Sequence, residues 1–267
     1  MVALRMKHLS KTYPPVAGVG APVTALADVD LEVAESEFVV VVGPSGCGKS
    51  TLLRIVSGIV SPSGGEVRFE AGEHGGPADN PNIGMVFQTP VLLPWLTTLK
   101  NVLFPARLLG RSTADYQARA HELISLVGLA GFENHYPWQL SGGMQHRAAL
   151  ARALVTEPDI LLMDEPFASL DILTREQMAV ELARIWAVAR TTVLFITHSI
   201  EEAVFLADRV VVLSPRPGRV IGNLAIDVGR PRTWQMLAEP EIAGLTAQVR
   251  EQLTGPAAER TGALDGR

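Results

Sequence analysis

The stretch GPSGCGKST, residues 43–51, has the residue types and the spacing to hold a chain of phosphates. Gly43, Gly46 and Gly48 let the backbone turn tightly, so that successive N–H groups point at phosphate oxygens. A helix starting there adds the partial positive charge of its N-terminus. Lys49 brings a compact ammonium to the β- and γ-phosphates, and the Ser50 hydroxyl can ligate Mg2+. A glycine-rich turn of no chemical consequence is the competing reading, and chance produces this pattern in roughly one chain of this length in a hundred.

Other candidate groups are spread along the chain. ILLMDE (160–165) is an apolar run read as a strand ending in two carboxylates. At a strand tip beside a phosphate loop, Asp164 can hold Mg2+ through its water shell. Glu165 is then free to polarise a water for attack on the γ-phosphate. A DE pair is more often a solvated turn, and the apolar strand before it argues against that here. Gln88 closes IGMVFQ (83–88), also read as a strand; its amide is either solvated or a ligand for Mg2+ or the attacking water. Ser141 fits the N-cap of a helix opening with Gly142 and Gly143, whose first N–H groups can meet an anion. Taken alone, that helix start is a weak signal. His198 is either a loop histidine or, at the C-terminal end of a parallel strand, a residue facing the ligand crevice. Tyr13 reads equally as core and as a ring for stacking on a base. Cys47, inside the loop, reads as a small residue that fits there in preference to a reactive thiol. The other five histidines lack metal-ligand spacing, so no zinc site is expected.

These groups need elements to position them. FVVVV (38–42) predicts a buried strand and TLLRIVSGI (51–59) a helix, so strand, loop and helix follow in the order that makes the glycine motif credible. VALRMKHLSKTY alternates with period two and predicts a strand ending at Tyr13. PPVAGVGAP (14–22) is a Pro/Gly loop. SPSGGEVRFEAGEHGGPADN (61–80) predicts a hairpin at the rim. From residue 89 a mostly helical region runs to about Trp138, with Pro94, Trp95 and Pro105 marking an exposed, kinked contact surface. Leu92, Leu93 and Trp95 read either as packing internally or, the favoured reading, as facing a partner. After His198 come a helix and a last strand. Residues 231–267 read either as a helical tail packed on the rest or as a partly ordered end, with TGPAAERTGALDGR frayed.

Composition narrows the class. The 267 residues are 47% hydrophobic and 6% aromatic, an ordinary globular profile. The net charge of -5 argues against a protein whose main work is gripping nucleic acid. Mean hydropathy is +0.21, yet no apolar run approaches the ~20 residues of a membrane helix. MVALRMKHLSKTY lacks the apolar stretch of a signal peptide. One cysteine excludes an intramolecular disulfide and suits the cytosol.

Taken in order, Tyr13, GPSGCGKST, Gln88, LSGGM (140–144), LLMDEP (161–166), SLD (169–171) and His198 resemble the motifs of the ATP-binding cassette (ABC) ATPases, over essentially the whole chain. LSGG is the specific element, because other phosphate-loop ATPases lack it. Met144 stands where many members have Gln, His146 replaces a commoner Gln, and Ser199 follows His198 where Asp is frequent. The resemblance implies an α/β P-loop fold of ABC type, with a mostly parallel sheet core, an antiparallel β rim and a helical subdomain. It implies an ATPase domain over 1–230, with the helical subdomain at about 91–155 inserted in a RecA-like core, and a C-terminal helical tail over 231–267. It further implies ATP and Mg2+ as ligands and a sandwich homodimer with two ATP molecules at its interface. Gly43, Pro44, Ser45, Gly46, Cys47, Gly48, Lys49, Ser50 and Thr51 of one subunit would hold the nucleotide, with Tyr13 at its base. Ser141, Gly142 and Gly143 of the other would close on its γ-phosphate. Glu165 would be the general base, His198 a γ-phosphate contact, and Asp171 a link between the two sites. Ser50, Gln88 and Asp164 would bind Mg2+, Gln88 also reporting to a membrane permease.

FQTPVLLPWLTTLKNVLFP, MDEPFASLDILTREQM and THSIEEAVFLADRVVVLSPRPG resemble the nitrate/sulfonate/taurine group of import ATPases. That implies a peripheral subunit at the cytoplasmic face of the membrane. Its partners would be a two-part permease and, indirectly, an extracytoplasmic solute-binding protein, with no nucleic acid. The solute would be small and usually anionic. The alternatives are an ATPase of the same fold in a soluble machine, or an exporter. The LLPW segment and the continuous tail disfavour the exporter.

Overall fold

Five consecutive buried residues, Phe38–Val42, form strand β3, and their unbroken apolar run follows from its central position between two parallel neighbours. The computed structural model describes residues 2–15, 20–71, 76–77 and 81–255. Residues 16–19 of the expected Pro/Gly loop, 72–75 and 78–80 of the expected hairpin, and 256–267 of the expected frayed end lie outside the described residues. The chain divides into two compact units, one of residues 1–80 with 192–267, the other of residues 81–191.

In the first unit, β1 (Val2–Tyr13), β2 (Val23–Val33), β4 (Gly64–Ala71) and β5 (Gly76–Pro77) make an antiparallel sheet in the order β2-β1-β4-β5. β4 and β5 are the expected rim hairpin. Alternate residues of β2 are buried, as expected of a sheet with one wet face. The parallel strands are β3, β8 (Thr192–Thr197) and β9 (Arg209–Leu213), with β10 (Val220–Ala225) antiparallel on β9. Helices α1 (Lys49–Val56), α6 (Ile200–Leu206) and α7 (Pro240–Thr254) complete the unit. The segment from 231 to 255 packs as a helical tail. α7 lies on α6, β9 and β10 and buries Ile242 and Val249. Trp234 meets Phe205 of α6 with ring centroids 4.9 Å apart.

The second unit holds the parallel pair β6 (Ile83–Val86) and β7 (Ile160–Asp164), with α2 (Thr98–Leu108), α3 (Gln117–Leu126), α4 (Gly142–Leu154) and α5 (Ile172–Ala189). α2 packs against both α3 and α4. Thr97 caps α2, its hydroxyl accepting from Lys100 N. One expectation needs correction: β6 ends at Val86, so Gln88 sits two residues past the strand. The pairing with β7 stops at Val86–Met163. Beyond it, side chains take over the backbone. Arg152 donates to the carbonyls of Pro90 and Val91, and Asn101 donates to those of Leu93, Leu96 and Thr97. Glu165 likewise falls just outside β7. Among the described residues no helix is long and apolar enough to cross a membrane.

Candidate active site

The phosphate-loop motif lies where the sequence order places it, between β3 and α1. Gly48 is the N-cap of α1 and adopts φ 107°, in the left-handed region. A Cβ there would stand 2.6 Å from the Ala25 carbonyl oxygen and 2.7 Å from a Leu26 methyl, so both the dihedral and the space demand glycine. Lys49 is 5% exposed, and its ammonium donates to the carbonyls of Gly43 (2.8 Å) and Pro44 (3.1 Å). No side chain caps the start of α1 and no acidic residue occupies its first turn. A helix N-terminus of that kind, with a lysine folded over the loop, fits a phosphate anion. Cys47 is buried, which bears out its reading as a residue that fits the loop.

Further groups of the first unit stand beside this loop. Tyr13, half-buried at the end of β1, brings its hydroxyl to 3.4 Å from the Thr51 hydroxyl, and the Lys11 ammonium lies 5.1 Å from its ring centroid. The parallel register pairs Val42 with Thr197, which brings exposed His198 level with Gly43. His198 is followed by a local network the sequence reading did not see. Ser199 caps α6 by accepting from Glu202 N, and the Thr197 hydroxyl donates to buried Glu202 at 2.6 Å. The S-x-x-E spacing of Ser199 and Glu202 was the available signal. Ser199 therefore does the capping work of an Asp at that position. Gly218 was also missed. Its N–H donates to Ala25 O, and a Cβ on it would overlap the Cys47 carbonyl, so it lets its loop lie against the phosphate loop.

The second unit gathers the other candidates. Gln88 and Glu165 each lie two residues past the last β6–β7 pair, Val86–Met163. Glu165 is half-buried and holds φ 44°, a strained value for a residue with a side chain. Ser141 caps α4 as expected, its hydroxyl accepting from Met144 N at 3.3 Å. Asp171 caps α5. It accepts from the Thr174 hydroxyl at 2.7 Å and the Thr174 N–H at 3.0 Å, and these bonds hold its carboxyl below the ordinary aspartate range. Thr174 also faces the helix start, its methyl 3.2 Å from where a Cβ on Gly143 would lie. His146, noted in the sequence only as a departure, is 4% exposed and reaches Gly142, Gln88 and Ser169. Thus Tyr13, residues 43–51 and His198 belong to the first unit, while Gln88, Ser141, Gly142, Gly143, Asp164, Glu165 and Asp171 belong to the second.

Residues 26–168 match the family model described as ABC transporter. The chain is 50% identical over 232 residues to the uncharacterized ABC transporter ATP-binding protein MJ0412 of Methanocaldococcus jannaschii, covering 86% of this chain and 85% of that protein. It is 45% identical over 232 residues to the taurine import ATP-binding protein TauB of Pseudomonas entomophila, covering 86% of each. Among solved structures, the ATP-binding cassette MJ0796, a dimer in a post-hydrolysis state bound to ADP and Pi, matches with a TM-score of 0.71 at 34% identity. That match covers 85% of this chain and 100% of the other. The fold is therefore the α/β P-loop fold of ABC type. The chain belongs to the ABC transporter family, as an ATP-hydrolysing, Mg2+-using cassette allied in sequence to the nitrate/sulfonate/taurine group.

Proposed function

We propose that this chain is the ATPase of an importer for a small, anionic solute of the nitrate, sulfonate or taurine type, working as a homodimer on a membrane permease. The observation that carries the import reading is the 45% identity to a taurine import ATP-binding protein over 86% of the chain. The permease site would lie on the helical subdomain, about residues 91–155, within an ATPase domain over 1–230 that carries a helical tail. A groove of about 390 Å³ beside α2 supports this, lined by Leu96, Leu103 and Phe104 with Lys100, Arg107 and Arg111. Trp95, 69% exposed, stands next to it in sequence. In such a complex the chain is peripheral, at the cytoplasmic face, and a solute-binding protein delivers the solute from outside.

The chemistry follows from the residues. The N–H groups of residues 43–51 and the Lys49 ammonium hold the phosphates, the ammonium exchanging its bonds to Gly43 and Pro44 for phosphate oxygens. Mg2+, when bound, neutralises charge on the β- and γ-phosphates. Ser50, Gln88 and Asp164 offer it the oxygen donors it prefers. Glu165 takes the proton of the attacking water, and His198 donates to the γ-phosphate. Tyr13 stacks on the base. Ser141, Gly142 and Gly143 of a second copy close the site, with Asp171 linking the two copies. Hydrolysis then waits on closure, which ties it to a motion.

Lys49→Ala is expected to weaken ATP binding roughly 100-fold, since a buried cation making charge-assisted bonds is lost. Titration calorimetry reads this, and unchanged affinity would remove Lys49 from the site. The import reading is tested by isolating tagged Glu165→Gln protein from its native membranes with ATP. A hydrophobic permease and a solute-binding protein are expected alongside it. A soluble scaffold with no membrane protein would overturn the transport role and leave the ATPase standing.

A further inference from the structure

We propose that His146 is a positioning residue for hydrolysis: its imidazole fastens the segment carrying Gln88 to the start of α4, so that the two move as one body. The proposal rests on the reading above that Gln88 and Gly142–Gly143 serve the nucleotide. The ring is buried, with Nδ1 2.9 Å from the Gly142 carbonyl oxygen and Nε2 3.3 Å from that of Gln88, 58 residues away. The Ser169 hydroxyl lies 3.5 Å from Nε2. One side chain thus touches three motif-bearing segments, ending in Gln88, starting at Gly142 and leading to Asp171.

Sequence spacing makes the first contact natural, because residues four apart lie on one face of a helix. The rest of the surroundings are apolar. A small cavity beside the ring is lined by Val86 of β6, Leu150 of α4, Met163 of β7, Phe167, and Met178 and Leu182 of α5. In such surroundings a hydrogen bond is strong and a lost one is not replaced by water. A neutral ring donates from one nitrogen only: with the proton on Nε2 it donates to the Gln88 carbonyl, the bond that ties this segment to α4, and with the proton on Nδ1 it donates to Gly142 while Nε2 accepts from the Ser169 hydroxyl. The contact is to the Gln88 backbone. His146 therefore governs where Gln88 stands and not what its amide does. Arg152, on the same helix, holds the next carbonyls, Pro90 at 2.9 Å and Val91 at 2.8 Å, so α4 grips the segment at two levels.

The test is steady-state ATP turnover by the purified full chain. His146→Leu keeps bulk and removes both polar nitrogens. It is expected to lower kcat about tenfold or more while KM for ATP stays within about threefold, because the phosphate loop is untouched. His146→Gln restores an N–H donor for the Gln88 carbonyl and is expected to return kcat to within about threefold of the parent. Gln88→Ala alone is expected to slow turnover, and adding His146→Leu to it should change kcat less than about twofold, since no side chain is left to position. Multiplicative effects in the double variant, or equal losses in the Leu and Gln variants, would overturn the proposal in favour of plain packing. If Gln88→Ala turns over like the parent, the assignment of Gln88 to the site fails, and the proposal with it. Should the Leu variant not fold, His146→Met fills the same cavity and is read by the same outcomes.

Discussion

Glu165→Gln is expected to bind ATP as the parent does and to lose turnover by a factor of about 10²–10⁴, the usual range for removing a general base. That corresponds to about 2.7–5.4 kcal/mol on the barrier. The amide matches the carboxylate in shape but accepts no proton at neutral pH, so binding and chemistry separate. Because closure precedes hydrolysis in the proposed scheme, the variant should also accumulate as a dimer in ATP and revert to monomer in ADP. Phosphate release and light scattering after size-exclusion chromatography read the two effects. Brisk hydrolysis would assign the base elsewhere; slow hydrolysis without a dimer would separate the base role from the closure scheme. The backbone at Glu165, held at φ 44°, also bears on the choice of variant. Gln keeps the same backbone demands, whereas Gly would relax the strain and confuse the result.

The second large effect concerns stability and comes from a residue outside all the motifs. Arg232, 8% exposed, donates to five backbone carbonyls: Val204, Phe205 and Ala207 at the end of α6, and Ile226 and Val228 beyond β10. Burial, with Arg230 beside it, pulls its pKa down to about 10, so it remains charged at neutral pH. A cation at a helix C-terminus also meets the negative end of the helix. Arg232→Met keeps the volume but leaves those carbonyls without their donor. We expect a loss on the order of 3–5 kcal/mol, since each buried acceptor left unmade carries its own cost. In a chain of this size that lowers the unfolding midpoint by roughly 10 °C. Arg232→Lys, a point charge without the planar fork, should fall between the two. Calorimetry or circular dichroism reads the midpoint. A Met variant melting with the parent would mean that water replaces the guanidinium at no cost.

Several features were legible in the chain before folding. The phosphate loop is local. Its glycines, its lysine and the apolar strand before it lie within fourteen consecutive residues (38–51), and Gly48 adopts the left-handed conformation that glycine makes cheap. The Ser141 cap is local too, as is the rim hairpin. Each depends on periodicity or on a bond spanning three or four residues, which residue types alone encode. The end of β6 was harder. IGMVFQ looks like a strand through Gln88, because nothing inside those six residues says where the partner strand stops.

What only the tertiary structure decided depends on register and burial between distant segments. His198 stands level with Gly43 because Val42 pairs with Thr197, a register no local pattern carries. Asp171 reads as a motif residue, yet its carboxylate is engaged in capping α5. His146 reads as a polar exchange on a helix and proves to be buried between two carbonyls. Arg232 lies in a stretch that reads either as a packed tail or as a partly ordered end, and it holds that tail to α6. An arginine or a histidine carries the same hydrogen-bonding groups whether wet or buried. The fold alone chooses, by placing backbone acceptors around it and excluding water.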